Sequence, residues 1–241
     1  MEFTYDTSCS LIQSLRNKGY VFADYHNYES YPRCVIMRHD VDNSLEQSVR
    51  LAEIEAQEGI SSTYFVLLRT SFYNPASIQG MEALQKILSL GHEIGLHFDE
   101  AAYPVDEVRP VSQLILHEAQ ILSAICDVPI TTVSMHRPSK KTLESNLQIP
   151  GMINSYGQVF FRDFKYLSDS RCNWREPVME IVADGAYDRL HILTHAFWYH
   201  EQAQSISQSV SAFVHAANRE RYVSMADNIR DLDAIMKEAE V

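Results

Sequence analysis

The sequence predicts an α/β fold, a closed or nearly closed parallel β/α barrel. Short apolar runs rich in β-formers alternate with helix-period segments from about residue 33 onward, which is the rhythm of a parallel sheet with helices outside it. The polar residues capable of chemistry stand at the C-terminal ends of the predicted strands, the rim on which parallel barrels build their sites. Neither a dinucleotide fingerprint nor a P-loop segment occurs, so no nucleotide cofactor is expected.

Residues 7–18 read as a helix and Tyr20-Val21-Phe22 as a short strand or extended lead-in. Cys34-Val35-Ile36-Met37 is a buried strand that runs into Arg38-His39-Asp40-Val41-Asp42. Ser44-Leu45-Glu46-Gln47 reads as a capping box; Leu45, Val49, Ala52 and Ala56 then share one helix face, and Gly59 stops the helix. Residues 62–68 are a second strand, 76–90 a helix ended by Gly91, and His92 to His97 a third strand. Val108, Val111, Ile115, Leu122 and Ile125 mark a long helix beginning after Pro104. Residues 131–135 form a fourth strand, broken by Pro138, and 190–195 the last one. Between them, short strands are expected near 159–167 and 178–182; residues 201–238 are mostly helical.

The chain has 241 residues, 46% hydrophobic and 22% charged, a balance that excludes disorder, coiled coil and disulfide scaffolds. One domain over 1–241 is expected, with 1–32 an N-terminal helix and extension and 201–241 a C-terminal helical segment. The net charge of −12 repels phosphate backbones, so no nucleic-acid partner is expected, although a local basic pocket for one small anion stays hidden in such a sum. Cys9, Cys34, Cys126 and Cys172 lack metal-site spacing and are expected to be free and buried. No leader-like segment and no run of about 20 apolar residues is seen, which leaves a cytoplasmic location without a membrane span as the expectation.

Asp40 and Asp42 stand two apart at a strand end, so both side chains project to one face. Such a pair suits one metal ligand and one proton acceptor; the plainer reading is that Asp42 or Asn43 caps the next helix. His39 falls on the opposite face and reads as structural; His92, at the beginning of its strand, pairs poorly with His97, and His191, on the face of His195 but a layer deeper, reads as core. His97 ends its strand, where a ligand belongs, although a lone histidine there is more often a hydrogen-bonded core residue; Asp99 and Glu100 offer oxygen ligands nearby. Arg137 is a rigid fork able to orient a carboxylate, or else a surface arginine before a turn. His195 ends the last strand and suits a general acid, with an ordinary pKa near ~6.5 that a site can tune.

Taken in order, Asp40-Val-Asp42, Thr63 to Val66, Gly91-His-Glu-Ile-Gly-Leu-His97, Arg137-Pro138 and Leu193-Thr-His195 span about 160 residues. That order resembles the polysaccharide deacetylases of the NodB-homology, carbohydrate esterase family 4 group, and more narrowly a divergent branch seen with surface-polysaccharide biosynthesis. The resemblance implies a distorted (β/α)7 barrel and a divalent metal, most commonly zinc. It implies Asp40 as catalytic base, Asp42 and His97 as metal ligands, and Arg137 as the arginine that orients the base. It also implies Asp169 and Trp174 as the fourth motif's aspartate and tryptophan, His195 as general acid and Leu193 as the wall of the acyl pocket. One position departs: the second metal histidine of the family falls four residues after His97, where Ala101 stands. His136, beside Arg137, is the proposed replacement, with Asp99 and Glu100 as competitors.

The activity implied is metal-dependent removal of an acetyl or formyl group from the nitrogen of an amino sugar, free, nucleotide-linked or lipid-linked, with a backbone N–H near Ser139 holding the oxyanion. Two other readings compete: a metal-poor hydrolase of another C–N bond, and a silent carbohydrate-binding barrel. An acid and a base on separate strands, Asp40 and His195, favour an enzyme; Ala101 favours the other two.

Overall fold

The computed structural model describes residues 1–104 and 107–240. In chain order the elements are α1 (Tyr5–Asn17), β1 (Val21–Ala23), β2 (Cys34–Val41), α2 (Leu45–Gln57), β3 (Thr63–Leu67), α3 (Ile78–Ser89), β4 (Glu93–Asp99) and α4 (Val111–Cys126). They continue with β5 (Thr132–His136), α5 (Lys140–Glu144), β6 (Ile153–Asn154), α6 (Val159–Arg162), β7 (Lys165–Ser168), α7 (Val178–Asp184), β8 (Arg189–Thr194), α8 (Ile206–Ala226) and α9 (Leu232–Ile235).

All strand pairs are parallel, in the order β6-β5-β4-β3-β2-β8-β7, with β1 beside the first half of β2. The sheet curls into an open barrel of seven strands: among the described residues the end strands β6 and β7 share no ladder. Side chains close the seam instead. Phe160 on α6 and Phe164 just after it pack with Tyr25, Ile36 and Phe65 inside the curl. The expected (β/α)7 architecture is therefore present, in its open form.

Strand parity sorts the residues into two layers. Val35, Met37, Leu190 and Ile192 point outward and are covered by Leu11, Leu15, Val178 and Val182 of α1 and α7. Tyr64, Val66, Leu96, Phe98 and Val133 point outward under Leu84, Ile87, Leu114 and Leu122 of α3 and α4. Each such side chain, fully buried, stabilises the fold by roughly 1.5–3 kcal/mol relative to exposure. The alternate residues, Ile36, Arg38 and Asp40 on β2 among them, face the barrel interior.

Gly95 is the closest approach within that interior. It lies opposite Phe65 in the β3–β4 register, and a Cβ on it would stand 2.5 Å from the Phe65 ring and 2.6 Å from Thr132 Oγ1. Gly95→Ala is expected to destabilise the protein by about 1–3 kcal/mol through overpacking, read as a lower urea midpoint at unchanged slope.

Some expected elements differ. Residues 159–162 and 178–184 are helices, and only 165–168 of that stretch is a strand. Val178 and Val182 are one helical turn apart, Pro177 precedes them and Gly185 follows with φ 70, a start and stop suited to a helix. The helix expected after Pro104 begins at Val111; Val108 is exposed, and residues 105 and 106 lie outside the described residues. Ser44 caps α2 by accepting the Gln47 N–H, while the return bond of a full capping box is missing. The four cysteines are free, Cys34 and Cys126 buried and Cys9 and Cys172 partly so. No helix among the described residues is long and apolar enough to cross a membrane.

Candidate active site

The C-terminal strand ends bring six of the singled-out residues together. Asp42 follows β2, His97 stands on β4 and His136 ends β5, all of interior parity. His97 Nε2 is 3.3 Å from Asp42 Oδ1, His136 Nδ1 is 3.2 Å from the same oxygen, and the two imidazole nitrogens are 3.2 Å apart. Ligand atoms around a tetrahedral ion bound at 2.0–2.1 Å stand about 3.3 Å apart. The triangle therefore has the dimensions of one face of such a site. Asp42 Oδ1 is buried and accepts no well-formed hydrogen bond, which leaves its lone pairs for an ion. Burial alone would raise the Asp42 pKa; the imidazoles of His136 and His97 hold it well below the usual carboxylate range. These residues fit a divalent cation, and His136 stands where a third ligand is needed.

The competitors for that third position are engaged elsewhere. Asp99 accepts from Arg137 Nη2 at 2.6 Å and from the Ala101 N–H at 3.1 Å. Glu100 accepts from the Ser139 N–H and hydroxyl, both at 3.1 Å, and from the Thr142 hydroxyl at 2.8 Å.

Asp40 lies beside the triangle, its Oδ2 3.6 Å from His97 Nε2. Its arginine is Arg38, not Arg137. Arg38 shares the inward face of β2, is completely buried, and gives Nη2 to Asp40 at 2.9 Å and Nη1 to Ser155 at 2.8 Å. Its guanidinium lies 5.1 Å from the Tyr156 ring centre and 5.5 Å from that of Phe65. Burial pulls the Arg38 pKa down, the Asp40 carboxylate pushes it up, and the net effect is upward. Ser134 approaches Asp40 Oδ1 at 3.5 Å.

His195, after β8, is held by Asp169, after β7. Nδ1 is 2.6 Å from Asp169 Oδ1, and the His195 backbone N–H donates to Oδ2 at 3.0 Å. Nε2 faces Asp42 Oδ2 at 3.8 Å. Burial lowers the His195 pKa, but Asp169, with Asp40 and Asp42 beyond it, outweighs burial and pushes it up to about 9. In metal-free protein the His195 ring is expected to titrate near 9 by NMR, and Asp169→Asn to bring it down toward ordinary histidine values. A raised folded-state pKa gives stability that is complete below the unfolded value, about 6.5, and lost as pH rises through about 9. If the ring titrates unchanged in the asparagine variant, Asp169 does not set its charge.

Behind the sheet, His39 fastens the two strands that carry these groups. It meets its register partner Thr194 at 2.6 Å and Glu55 at 2.9 Å, and Tyr64 donates to Glu55 at 2.8 Å. Burial raises the Glu55 pKa, His39 and its neighbours lower it, and the net effect is downward. Leu193 faces inward and is buried, opposite Arg38 in the register.

Three expectations are corrected. Arg137 is spent on Asp99 and does not touch Asp40, because Arg38 already fills that place from inside the barrel. Ser139 caps α5, and its N–H is committed to Glu100, so it is not a free oxyanion donor. Trp174 packs against the outward core under α1 and α7, which turns it away from a substrate-facing role. Sequence reasoning missed Arg38, Ser134 and Ser155. The spacing of Arg38 and Asp40, two apart on an otherwise apolar strand, carried a readable signal for the first.

Fold and site together define an open β/α barrel with an Asp-His-His cation pocket flanked by a carboxylate and a histidine–aspartate pair. No family model and no curated protein matches the chain. Among solved structures it is similar to a chitin deacetylase from the fungal pathogen Colletotrichum lindemuthianum, at 14% identity over 83% of this chain and 86% of that one, TM-score 0.45. It is also similar to a family 4 acetyl xylan esterase from Clostridium thermocellum, in complex with a cobalt ion, at 12% identity over 77% and 84%, TM-score 0.41. A third is a CE4 family pseudoenzyme from Bacillus anthracis, at 13% identity over 79% of this chain, TM-score 0.43; the match spans 64% of that protein's length.

Proposed function

We propose that the chain is a metal-dependent hydrolase that removes an N-acyl group, acetyl or formyl, from an amino sugar. One observation carries the reading: the Asp42, His97 and His136 ligand atoms, 3.2–3.3 Å apart, are flanked by Asp40, paired with Arg38, and by His195, held by Asp169. The motif order that resembles the polysaccharide deacetylases supplies the amide of an amino sugar as substrate class.

Asp42, His97 and His136 would hold a divalent ion, which would supply Lewis-acid polarisation of a carbonyl and a lowered pKa for attacking water. Zinc suits two nitrogens and a carboxylate oxygen. Asp40, oriented by its ion pair with Arg38, accepts the proton of the water as it attacks. His195, oriented by Asp169, gives its proton to the departing amine. Each proton transfer contributes about 10²–10⁴ in rate. Leu193 forms the apolar wall against which the small acyl group fits. The chain acts as a single domain, with 1–32 and 201–241 as its helical flanks, in the cytoplasm.

The test is release of acetate or formate from N-acylated amino sugars by zinc-loaded protein. Asp40→Asn and His195→Ala are each expected to lower kcat about 10²–10⁴-fold, and the double variant to lose less than the product, since both serve one transition state. Wild-type turnover in both single variants would remove these residues from the chemistry. Binding of acylated sugars with no acyl release would leave a carbohydrate-binding barrel.

A further inference from the structure

The rim sector from β5 through β6 to β7 is basic in an acidic protein. Residues 137–141, after β5, hold Arg137, Lys140 and Lys141; residues 170–175, after β7, hold Arg171 and Arg175. Neither stretch contains a carboxylate, although Lys140 pairs with Glu144 one turn further on at 3.7 Å, and the turn between the two stretches, residues 155–158, is uncharged. Five of the chain's 20 lysines and arginines thus bracket one side of the site in a chain of net charge −12.

Arg137 follows the metal-ligand candidate His136 directly. Its backbone stands at φ 49, a left-handed conformation that residues with a side chain adopt only when the surroundings impose it. Asp99 fixes one corner of the guanidinium, and Glu100 fixes the next turn through Ser139 and Thr142. Even so, the Arg137 side chain is 68% exposed and, among the described residues, has no second hydrogen-bond partner. A cation present only to neutralise Asp99 has no need of that exposure.

Arg171 stands two residues beyond Asp169, also exposed and at φ 63. Neither it nor Arg175 has a carboxylate within salt-bridge distance among the described residues. An arginine fork left open at the strand-end rim matches a phosphate, and the clustered charge raises the local concentration of anions.

We propose that this sector holds a phosphate group on the substrate, so that the acylated amino sugar reaches the site carrying a phosphoryl linkage. The sugar part rests on the hydrolase reading above; the phosphate part rests on the basic sector alone. Nucleotide-linked and lipid-linked sugars share this chemistry, and the test separates them.

Metal-stripped protein removes direct phosphate–ion contact. Calorimetry at low ionic strength then compares N-acetylglucosamine, its 1-phosphate, its uridine-diphosphate form and a short polyprenyl-phosphate form, with inorganic phosphate alongside. The 1-phosphate is expected to bind at least about tenfold tighter than the neutral sugar, and the advantage to shrink with added salt. Arg137→Gln and Arg171→Gln should each remove about tenfold of it while leaving neutral-sugar binding unchanged, and Arg137→Lys should keep part of it. Tighter binding of the uridine form supports the proposal with a nucleotide source; tighter binding of the polyprenyl form supports it with a lipid source. Equal affinity for neutral and phosphorylated sugar, no binding of any probe, or a phosphate preference untouched in both glutamine variants overturns it. Acyl release from a neutral sugar without phosphate preference would overturn this inference and leave the hydrolase standing. Phosphate preference without acyl release would do the reverse.

Discussion

With alanine in place of His136, the protein is expected to lose divalent-ion affinity by more than the roughly 10–100-fold that removing a supporting partner costs. His136 Nδ1 is one corner of a triangle whose other corners are His97 Nε2 and Asp42 Oδ1, and a catalytic zinc site rarely holds with two protein ligands. Competition against a chromophoric chelator measures the loss for zinc and cobalt. Asp99→Asn and Glu100→Gln are the controls and should bind metal like wild type, since their oxygens serve Arg137 and the β5–α5 turn. Wild-type affinity in His136→Ala would move the third ligand elsewhere.

The second large effect concerns Arg38. Arg38→Met leaves the Asp40 carboxylate buried without its charge partner, and breaking a buried pair from one side costs about 3–5 kcal/mol. Urea unfolding reads the loss. Adding Asp40→Asn to Arg38→Met should restore part of it, because the two residues are in contact and their effects are not independent. Strict additivity in that cycle would mean that Arg38 stabilises the barrel through its aromatic contacts alone.

The strand framework was legible because the core demands it. Cys34 to Met37 and Tyr64 to Leu67 are continuous apolar runs, and Leu190 to Leu193 is interrupted only by His191, as suits strands covered on both faces. Asp40, Asp42, His97, His136 and His195 stood out as polar residues at the ends of such runs. The stretch 140–185 was less legible: its strands are two and four residues long, and its helices four to seven, too short for either period to repeat. Arg137 and Arg38 show a different limit. Both are arginines near the right strand ends, and their partners depend on inter-strand register and on a burial that residue spacing alone does not encode. Ser139 and Trp174 were misjudged for the same reason: a cap and a core indole look like site residues until their neighbours are known.

The open seam gives the two sides of the site unequal stiffness. β2 and β8 share six register pairs and are fastened again by His39 and Thr194, whereas β6 joins the sheet through two pairs only. A wall secured that lightly opens at lower free energy than the rest of the barrel. Arg38 spans the distance, anchored in the rigid wall and tethered to Ser155 at the end of the compliant one. Loosening of the β6 edge would therefore slacken one of the two side-chain tethers on the guanidinium that is paired with Asp40. The orientation of the Asp40 carboxylate thus rests in part on the most lightly paired strand of the barrel, so ligands or substitutions that tighten the β6 edge act on Asp40 without touching it.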